Sequence, residues 1–389
     1  MVIIPYGRQD ISEADIQAVV DVLRSDYLTQ GPAVPAFEKS LSDYCGAQHA
    51  IAVNSATSAL HIACLALGVG SGDSVWTTPI TFVASANCAL YCGAQVDFVD
   101  IDPRTYNISV ECLAEKLAEA EQTGKLPKVV IPVHMSGQPC DMAGIHVLSQ
   151  QYGFRIIEDA SHAIGGRYKD EPIGSCRYSD ITIFSFHPVK IITAGEGGMA
   201  LTNDSQLARR MRLLRSHGIT SDASDMQSRP SEEIWNYQQI SLGFNYRMTD
   251  ILAALGLSQM QRLDEFVAKR HIIAKRYDQL LSDLPVITPF QHRDSYSSFH
   301  LYLIRLKSAE ISRTQREVFD ALRAAGILVN LHYIPVYRQP YYQRMGFVRG
   351  YCSQAEQYYK EVVSLPMYPG LTPVQQDRVI TVLREALGT

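Results

Sequence analysis

Residues 184–202 read FSFHPVKIITAGEGGMALT. An apolar, strand-like run is broken by His187-Pro188, a single lysine, Lys190, follows among apolar residues, and the glycines of GEGG come next. Lysine is costly to desolvate, whereas glycine lets backbone come close to another group. The stretch poses the question of what approaches Lys190.

The sequence upstream, from about Ser55 to Thr202, alternates helical and strand patterns. SALHIACLALG is helical and stops at Gly68, SVWTTP is strand-like, and FVASANCALYCG is helical again. AQVDFVD, KVVIPVH, FRIIEDA, ITIFSF and GGMALTN read as further strands, with SVECLAEKLAEAEQ and MAGIHVLSQQYG as helices between the earlier ones. This alternation predicts an α/β fold whose mostly parallel sheet is covered by helices on both faces. Ligands in such sheets bind beyond the carboxyl ends of the strands, so the turns after VVIPV, RIIED and TIFSF should border one crevice.

Downstream, SQLARRMRLLRSHG is a basic helix whose Arg209, Arg210, Arg212 and Arg215 can be a solvated face or touch a diphosphate. Residues 219–239 read as a polar surface loop. Two longer helical patterns, 249–262 and 264–282, lead toward a second α/β domain containing SFHLYLIRL, SRTQREVFDALRAAG and TPVQQDRVITVLREAL. The expected division is a large domain over 1–260 and a smaller C-terminal domain over 261–389.

Bulk properties fit this picture. A chain of 389 residues exceeds one ordinary core. With 46% hydrophobic residues and a net charge of −5, it gives no reason to expect a nucleic-acid or membrane-surface partner. The N-terminal apolar run is too short for a signal peptide, and no window approaches a membrane span. The eight cysteines are scattered without a C-x-x-C pair, which predicts reduced thiols in a cytoplasmic protein and no metal cluster.

Glu158-Asp159 close the strand RIIED. A helix cap or loop acid is the plainer reading of either carboxylate alone. Asp159 nevertheless stands 31 positions before Lys190, with a Gly-rich turn and one more strand between them. That arrangement resembles fold-type I enzymes using pyridoxal 5′-phosphate, in which an aspartate pairs with the pyridinium nitrogen and a lysine binds the aldehyde covalently. The ring works as an electron sink while its nitrogen stays protonated, which a carboxylate secures, and a desolvated lysine has the lowered pKa of a nucleophile.

A phosphate needs an anion site, and VNSATSALHIA, residues 53–63, supplies a strand end, a small hydroxyl-rich turn with Ser55, Ala56 and Thr57, and a helix start. A simple Ser/Thr cap accounts for the same residues. Ser185 can add a hydroxyl, Phe82 is either a ring for the cofactor face or a core residue, and His162 can lie beside the ring hydroxyl or substrate. Asp159 and His162 lack a third ligand nearby, so no metal is expected.

The motifs in order are similar to those of the DegT/DnrJ/EryC1/StrS sugar aminotransferases over nearly the whole chain. They include DYLTQGPAVPAFEKSLSDYCGAQHAIAVNSATSALHIA, TTPITFVASANCALYCGAQVDFVDID, IIEDASHAIGG, FSFHPVKIITAGEGGMALTND, RSHGI, GFNYRMTDILAALGLSQM and LHYIPVY. Within that family, NSATSAL, TTPITFVA, SFHPVK and LHYIPVY look most like the transaminases of pseudaminic acid biosynthesis.

The resemblance implies transfer of an amino group from L-glutamate to C4 of UDP-2-acetamido-2,6-dideoxy-β-L-arabino-hex-4-ulose. The product would be UDP-4-amino-4,6-dideoxy-N-acetyl-β-L-altrosamine. It implies pyridoxal 5′-phosphate held on Lys190, pyridoxamine phosphate between two ping-pong halves, and 2-oxoglutarate as by-product. It further implies a homodimer in which Asn245 reaches the partner's cofactor phosphate, its neighbour Arg247 being either a second contact or a structural residue. Tyr6, Asp26, Tyr27, Leu28, Thr29 and Gln30, with Asn330, Leu331, His332 and Tyr333, would contact the nucleotide-sugar.

Some relatives carry histidine in place of this lysine and act as sugar 3-dehydratases, so Lys190 favours transamination. Two alternatives remain open: the same chemistry on a dTDP- or GDP-linked 4-keto-6-deoxy sugar, and a non-enzymatic cofactor-binding regulator or scaffold. Complete Asp159, Ser185, Lys190 and Asn245 positions speak against the last.

Overall fold

The computed structural model describes residues 3–228, 233 and 235–388. At its centre is a seven-stranded sheet: β1 His49–Val53, β2 Ser74–Thr77, β3 Gln95–Phe98, β4 Val129–Ile131, β5 Arg155–Asp159, β6 Ile181–Ser185 and β7 Gly198–Thr202. Their spatial order is β1-β7-β6-β5-β4-β2-β3. The run from β6 to β3 is parallel throughout, and β7 is antiparallel to both of its neighbours.

This one reversal matters for the site. A parallel pair needs a crossover that carries the chain to the other end of the sheet, whereas an antiparallel pair can be joined at the same end. The link from β6 to β7, residues 186–197, therefore stays at the carboxyl end of β6. Lys190 lies in that link.

The expected alternation is present, with the helices Ala56–Ala66, Ala84–Tyr91, Val110–Thr123 and Met142–Tyr152 between the strands. Val129, Val130 and Ile131 are all buried, as are all five residues of β6 and of β7, because helices cover both faces. Period-two alternation splits these side chains between two cores. Ile157, Ile181, Ile183 and Ala200 join the core that contains residues of the helices Ala56–Ala66 and Ala84–Tyr91, while Ile156, Phe184, Met199 and Leu201 join the other.

A third core gathers Tyr277, Tyr302, Val318, Leu322 and Leu383 from the long helix Leu263–Leu280, the helices Gln315–Ala324 and Pro373–Leu387, and a small antiparallel sheet. That sheet orders Val286–Ile287, Tyr302–Leu306 and Val362–Leu365. Ile4 belongs to this third core, and Ile4–Pro5 pairs in parallel with Ile327–Leu328. Conversely, Tyr337, Tyr342 and Tyr358 pack into the first core of the central sheet.

Within the segment read as a loop, Ile219–Thr220 pairs with Gln238–Gln239, and residues 229–232 and 234 lie outside the described residues. The basic helix spends most of its charge locally. Arg209 pairs with Asp225, Arg210 donates to the Ala66 carbonyl at 3.0 Å, and Arg215 donates to Glu38 at 2.6 Å and to the Ala52 carbonyl at 2.9 Å.

Candidate active site

A cavity of about 620 Å³ opens at the carboxyl ends of β4, β5 and β6, where Val133, Asp159 and Ser185 line it together with Lys190. A larger cleft of about 1030 Å³ lies elsewhere, where Lys116 pairs with Asp97 at 2.7 Å and Lys128 with Asp73 at 2.9 Å. The smaller cavity is the one that brings a desolvated lysine, a buried aspartate and a buried histidine together.

Strand alternation separates the two acids of RIIED. Asp159 is paired in register with Ile183 and shares its face, the one covered by the helix Ala84–Tyr91. Ser85 on that helix donates to Asp159 Oδ2 at 2.6 Å, and the Ser161 N–H donates to Oδ1 at 3.1 Å. Glu158 faces the other way. The His134 ring takes the Cys140 N–H on Nδ1 at 3.0 Å, so its proton is on Nε2 and is given to Glu158 Oε2 at 2.8 Å. Burial pushes the Glu158 carboxyl up, but the bonds from His134, Ser179 and Thr182 outweigh it and hold the pKa below the ordinary value. Glu158 is an internal brace, and Asp159 is the acid of the cavity.

Lys190 lines the same cavity. Burial pulls its pKa down to about 8, and the carboxylate of Asp159 opposes that shift. A sizeable fraction of free amine near neutral pH is what a nucleophile or proton carrier needs.

The anion site is built by close approach. Ser55 caps the helix Ala56–Ala66, its hydroxyl accepting the Ser58 N–H at 3.1 Å. The N–H groups of Ala56 and Thr57 have no partner among the described residues, as expected of a helix's first turn. Gly198 lies opposite Val53 and Ser185 in the sheet. A Cβ there would sit 2.5 Å from the Ala56 nitrogen, so only glycine lets β7 pass the helix start. Free N–H groups, the Ser185 hydroxyl and a glycine-walled recess match the donor set a phosphate monoester requires. Pyridoxal phosphate therefore fits the residues present, with Asp159 and Lys190 available to its ring nitrogen and aldehyde.

His162 is held by the Ser136 N–H, which donates to its Nδ1 at 3.3 Å. A backbone N–H can only donate, so in the neutral ring the proton lies on Nε2, which meets Tyr333 Oη at 3.2 Å. Burial drives the His162 pKa well below its usual value, with Lys190 and His332 adding to the shift. His332 is pulled down to about 3 by burial and then Lys190, and its Nδ1 lies 2.8 Å from Ser364 Oγ. Burial also raises the Tyr6 and Tyr333 phenols, keeping both protonated. The Tyr6 and His332 rings lie 5.3 Å apart. Phe82 is 60% exposed at the cavity rim, which removes the core reading left open for it.

Thus Tyr6, Ser55, Ala56, Thr57, Phe82, Asp159, His162, Ser185, Lys190 and residues 330–333 converge on one cavity. Asp26, Tyr27, Leu28, Thr29, Gln30 and Asn245 do not line it; all are exposed. The sequence reading missed Ser85, Glu196 and His300. Ser85 sits in a helix of ordinary small residues and His300 inside a strand-like run, and neither carries a spacing signal.

The model of the DegT/DnrJ/EryC1/StrS aminotransferase family matches residues 9–384. The chain is 40% identical over 385 residues to the spore coat polysaccharide biosynthesis protein SpsC of Bacillus subtilis, covering 98% of this chain and 96% of that protein. It is 38% identical over 366 residues to the UDP-4-amino-4,6-dideoxy-N-acetyl-β-L-altrosamine transaminase of Campylobacter jejuni, covering 93% and 92%. Among solved structures, Helicobacter pylori PseC, an aminotransferase involved in the biosynthesis of pseudoaminic acid, superposes with a TM-score of 0.91 at 29% identity, covering 100% of both chains.

Proposed function

The chain belongs to the DegT/DnrJ/EryC1/StrS aminotransferase family, and from that membership we propose which sugar it aminates and which residues do the work. As a member it is a pyridoxal phosphate-dependent sugar aminotransferase with the fold of that enzyme class, taking a nucleotide-sugar and an amino donor. We infer that it moves the amino group of L-glutamate to C4 of a UDP-linked 4-keto-6-deoxy-N-acetylhexosamine, yielding UDP-4-amino-4,6-dideoxy-N-acetyl-β-L-altrosamine on the route to pseudaminic acid. The observation carrying this reading is the 38% identity, over nearly the full length, to a transaminase of that product.

The bound cofactor supplies an aldehyde to take up the amino group and a protonated ring to accept an electron pair. In the proposed roles, Asp159 holds the proton at the ring nitrogen, braced by Ser85 and the Ser161 N–H. The N–H groups of Ala56 and Thr57, with Ser185 Oγ, hold the phosphate, and Phe82 covers a ring face. Lys190 Nζ takes the proton from the donor's α-carbon in one half of the reaction and returns one to C4 of the sugar in the other. His162 and Tyr333 orient the reacting groups, and Tyr6 with residues 330–332 binds the nucleotide-sugar.

We further propose a cytoplasmic homodimer. Eight free cysteines suit a reducing compartment, and Asn245 with residues 26–30, exposed and outside the cavity of their own chain, would complete the site of a second copy. The domains are read as 1–260 and 261–389: the third core draws mainly on residues from 273 onward, while Tyr337, Tyr342 and Tyr358 pack against the large domain's core. Among the described residues, no helix is long and apolar enough to cross a membrane.

The test is to record the visible spectrum of the purified holoenzyme, add glutamate, and then offer UDP-, dTDP- and GDP-linked 4-keto-6-deoxy sugars, with product mass and C4 configuration as readouts. Loss of the cofactor band on glutamate and its return with the UDP-N-acetyl sugar is expected, with Lys190→Ala unresponsive. Turnover of only a dTDP- or GDP-sugar would replace the substrate assignment. The 40% identity to SpsC, a spore coat polysaccharide biosynthesis protein, is the reason to offer substrates other than the UDP-sugar.

A further inference from the structure

Arg270, in the helix Leu263–Leu280, is only 1% exposed, yet no carboxylate pairs with it among the described residues. Its Nη1 donates instead to three backbone carbonyls: Phe299 at 3.0 Å, His300 at 3.1 Å and Met367 at 3.2 Å. Burial pulls the guanidinium down to about 9, so it stays charged at neutral pH. A dry, charged side chain without a counter-ion is a poor structural filler, since an apolar residue of similar volume serves packing as well or better.

The three carbonyls belong to segments that build two walls of the active-site cavity. On one side, the His300 ring packs against His162 with centroids 4.4 Å apart. Ser298 Oγ donates to the His162 carbonyl at 2.8 Å, and the Leu301 N–H donates to the Ser136 carbonyl at 3.3 Å, Ser136 being the residue whose own N–H fixes His162 Nδ1. His300 is itself buried and lines the cavity, with Nδ1 sealed and unpartnered. On the other side, the Met367 N–H donates to the Tyr6 carbonyl at 2.9 Å, and the Tyr6 ring leans on His332.

We propose that Arg270 is a positioning residue for catalysis: it touches neither substrate nor cofactor, but sets the His300–His162–Tyr333 wall and the Tyr6–His332 wall in one register about Lys190. One guanidinium nitrogen shared by three carbonyls fixes both walls to the same helix, so neither moves alone. Lysine keeps the charge, but its ammonium ends one bond short of the position of Nη1 and so cannot hold the three carbonyls where the guanidinium does. This inference rests on the aminotransferase reading of the cavity.

The experiment uses the holoenzyme and the glutamate half-reaction, which is independent of the sugar's identity. Arg270→Lys and Arg270→Met are compared with wild type for single-turnover rate, glutamate affinity, cofactor affinity, visible circular dichroism of the bound cofactor and thermal midpoint. The expected result for Arg270→Lys is near-normal cofactor and glutamate affinity, an altered dichroism, and a rate lower by roughly tenfold to a hundredfold, as misplacement of reacting groups produces. A wild-type rate and dichroism in folded Arg270→Lys, or a rate loss that only tracks lost cofactor or lost fold, overturns the proposal. If both Arg270 variants fail to fold, Arg270→Gln, which keeps an N–H donor without the charge, is measured in the same way. A slowed half-reaction with altered dichroism at near-normal cofactor affinity supports the proposal, and a wild-type rate and dichroism overturn it. A wild-type holoenzyme unresponsive to glutamate signals failure of the aminotransferase reading itself, a different result from a variant that responds like wild type.

Discussion

Ser85 Oγ lies 2.6 Å from Asp159 Oδ2, a bond that joins the helix Ala84–Tyr91 to the end of β5, and Thr81 Oγ1 lies 2.8 Å behind it. Hydrogen bonds to a charged group contribute about 1.5–3 kcal/mol. Ser85→Ala should therefore weaken binding of pyridoxal phosphate by roughly tenfold or more while the chain stays folded. A titration of apoprotein followed in the visible decides; an unchanged affinity would mean that the Ser161 N–H alone suffices to hold the carboxylate.

Gly198→Ala drives a Cβ to 2.5 Å from the Ala56 nitrogen, against backbone that cannot swing aside. Overpacking of this kind costs about 1–3 kcal/mol, and here it also closes the recess proposed for the phosphate. Thermal midpoint and cofactor affinity should fall together. Gly70→Ala is the control, because a Cβ there meets nothing within 4 Å and both quantities should hold.

The amine of Lys190 should titrate near pH 8 rather than 10.5, burial being the cause. The rate at which apoprotein captures pyridoxal phosphate should rise with pH and level off above that value. Stopped-flow measurement across the range checks it, with Lys190→Arg as the blank. A rate still climbing steeply above pH 9.5, roughly, would refute a desolvated amine.

Buried neutral histidines make the fold acid-sensitive. His162 and His300 sit well below the ordinary value and His332 is at about 3, burial being the leading cause for each. Below about pH 6.5 the unfolded chain binds protons at these positions and the folded chain does not, so stability falls as pH falls, each histidine adding up to about 1.4 kcal/mol per pH unit. The loss should begin near the ordinary histidine value and run toward pH 3 for His332. Denaturant midpoints from neutral to mildly acidic pH measure the slope, and His332→Asn should make it shallower.

Asn245 tests the shared site. If it serves a second copy, Asn245→Ala and Lys190→Ala proteins, each inactive or crippled alone, should regain activity when unfolded together and refolded as a mixture. Hybrid dimers then contain one intact site. No recovery in a mixture shown by mass to contain hybrids would place Asn245 in its own protomer's chemistry or outside it.

Much of this was legible in the sequence for a physical reason. Strands buried on both faces must be apolar throughout and their crossover helices amphipathic, so the alternation from Ser55 to Thr202 declares an α/β sheet. The ends of KVVIPVH, RIIED and ITIFSF then had to meet, and Val133, Asp159 and Ser185 do line one cavity. The reversal of β7 was not legible, because GGMALTN reads the same in either direction.

What the sequence determined by itself was local: which segments are strands, which helix start has free N–H groups, and which lysine stands among glycines. The tertiary structure decided everything that depends on faces and distant partners. It gave Glu158 its internal partners, supplied Ser85 to Asp159 from 74 positions away, put His300 behind His162, exposed Phe82, and left Arg270 dry with only carbonyls to bind. Such relationships join residues far apart in the chain, and no periodicity records them, because a side chain's neighbours across a core are set by packing rather than by spacing.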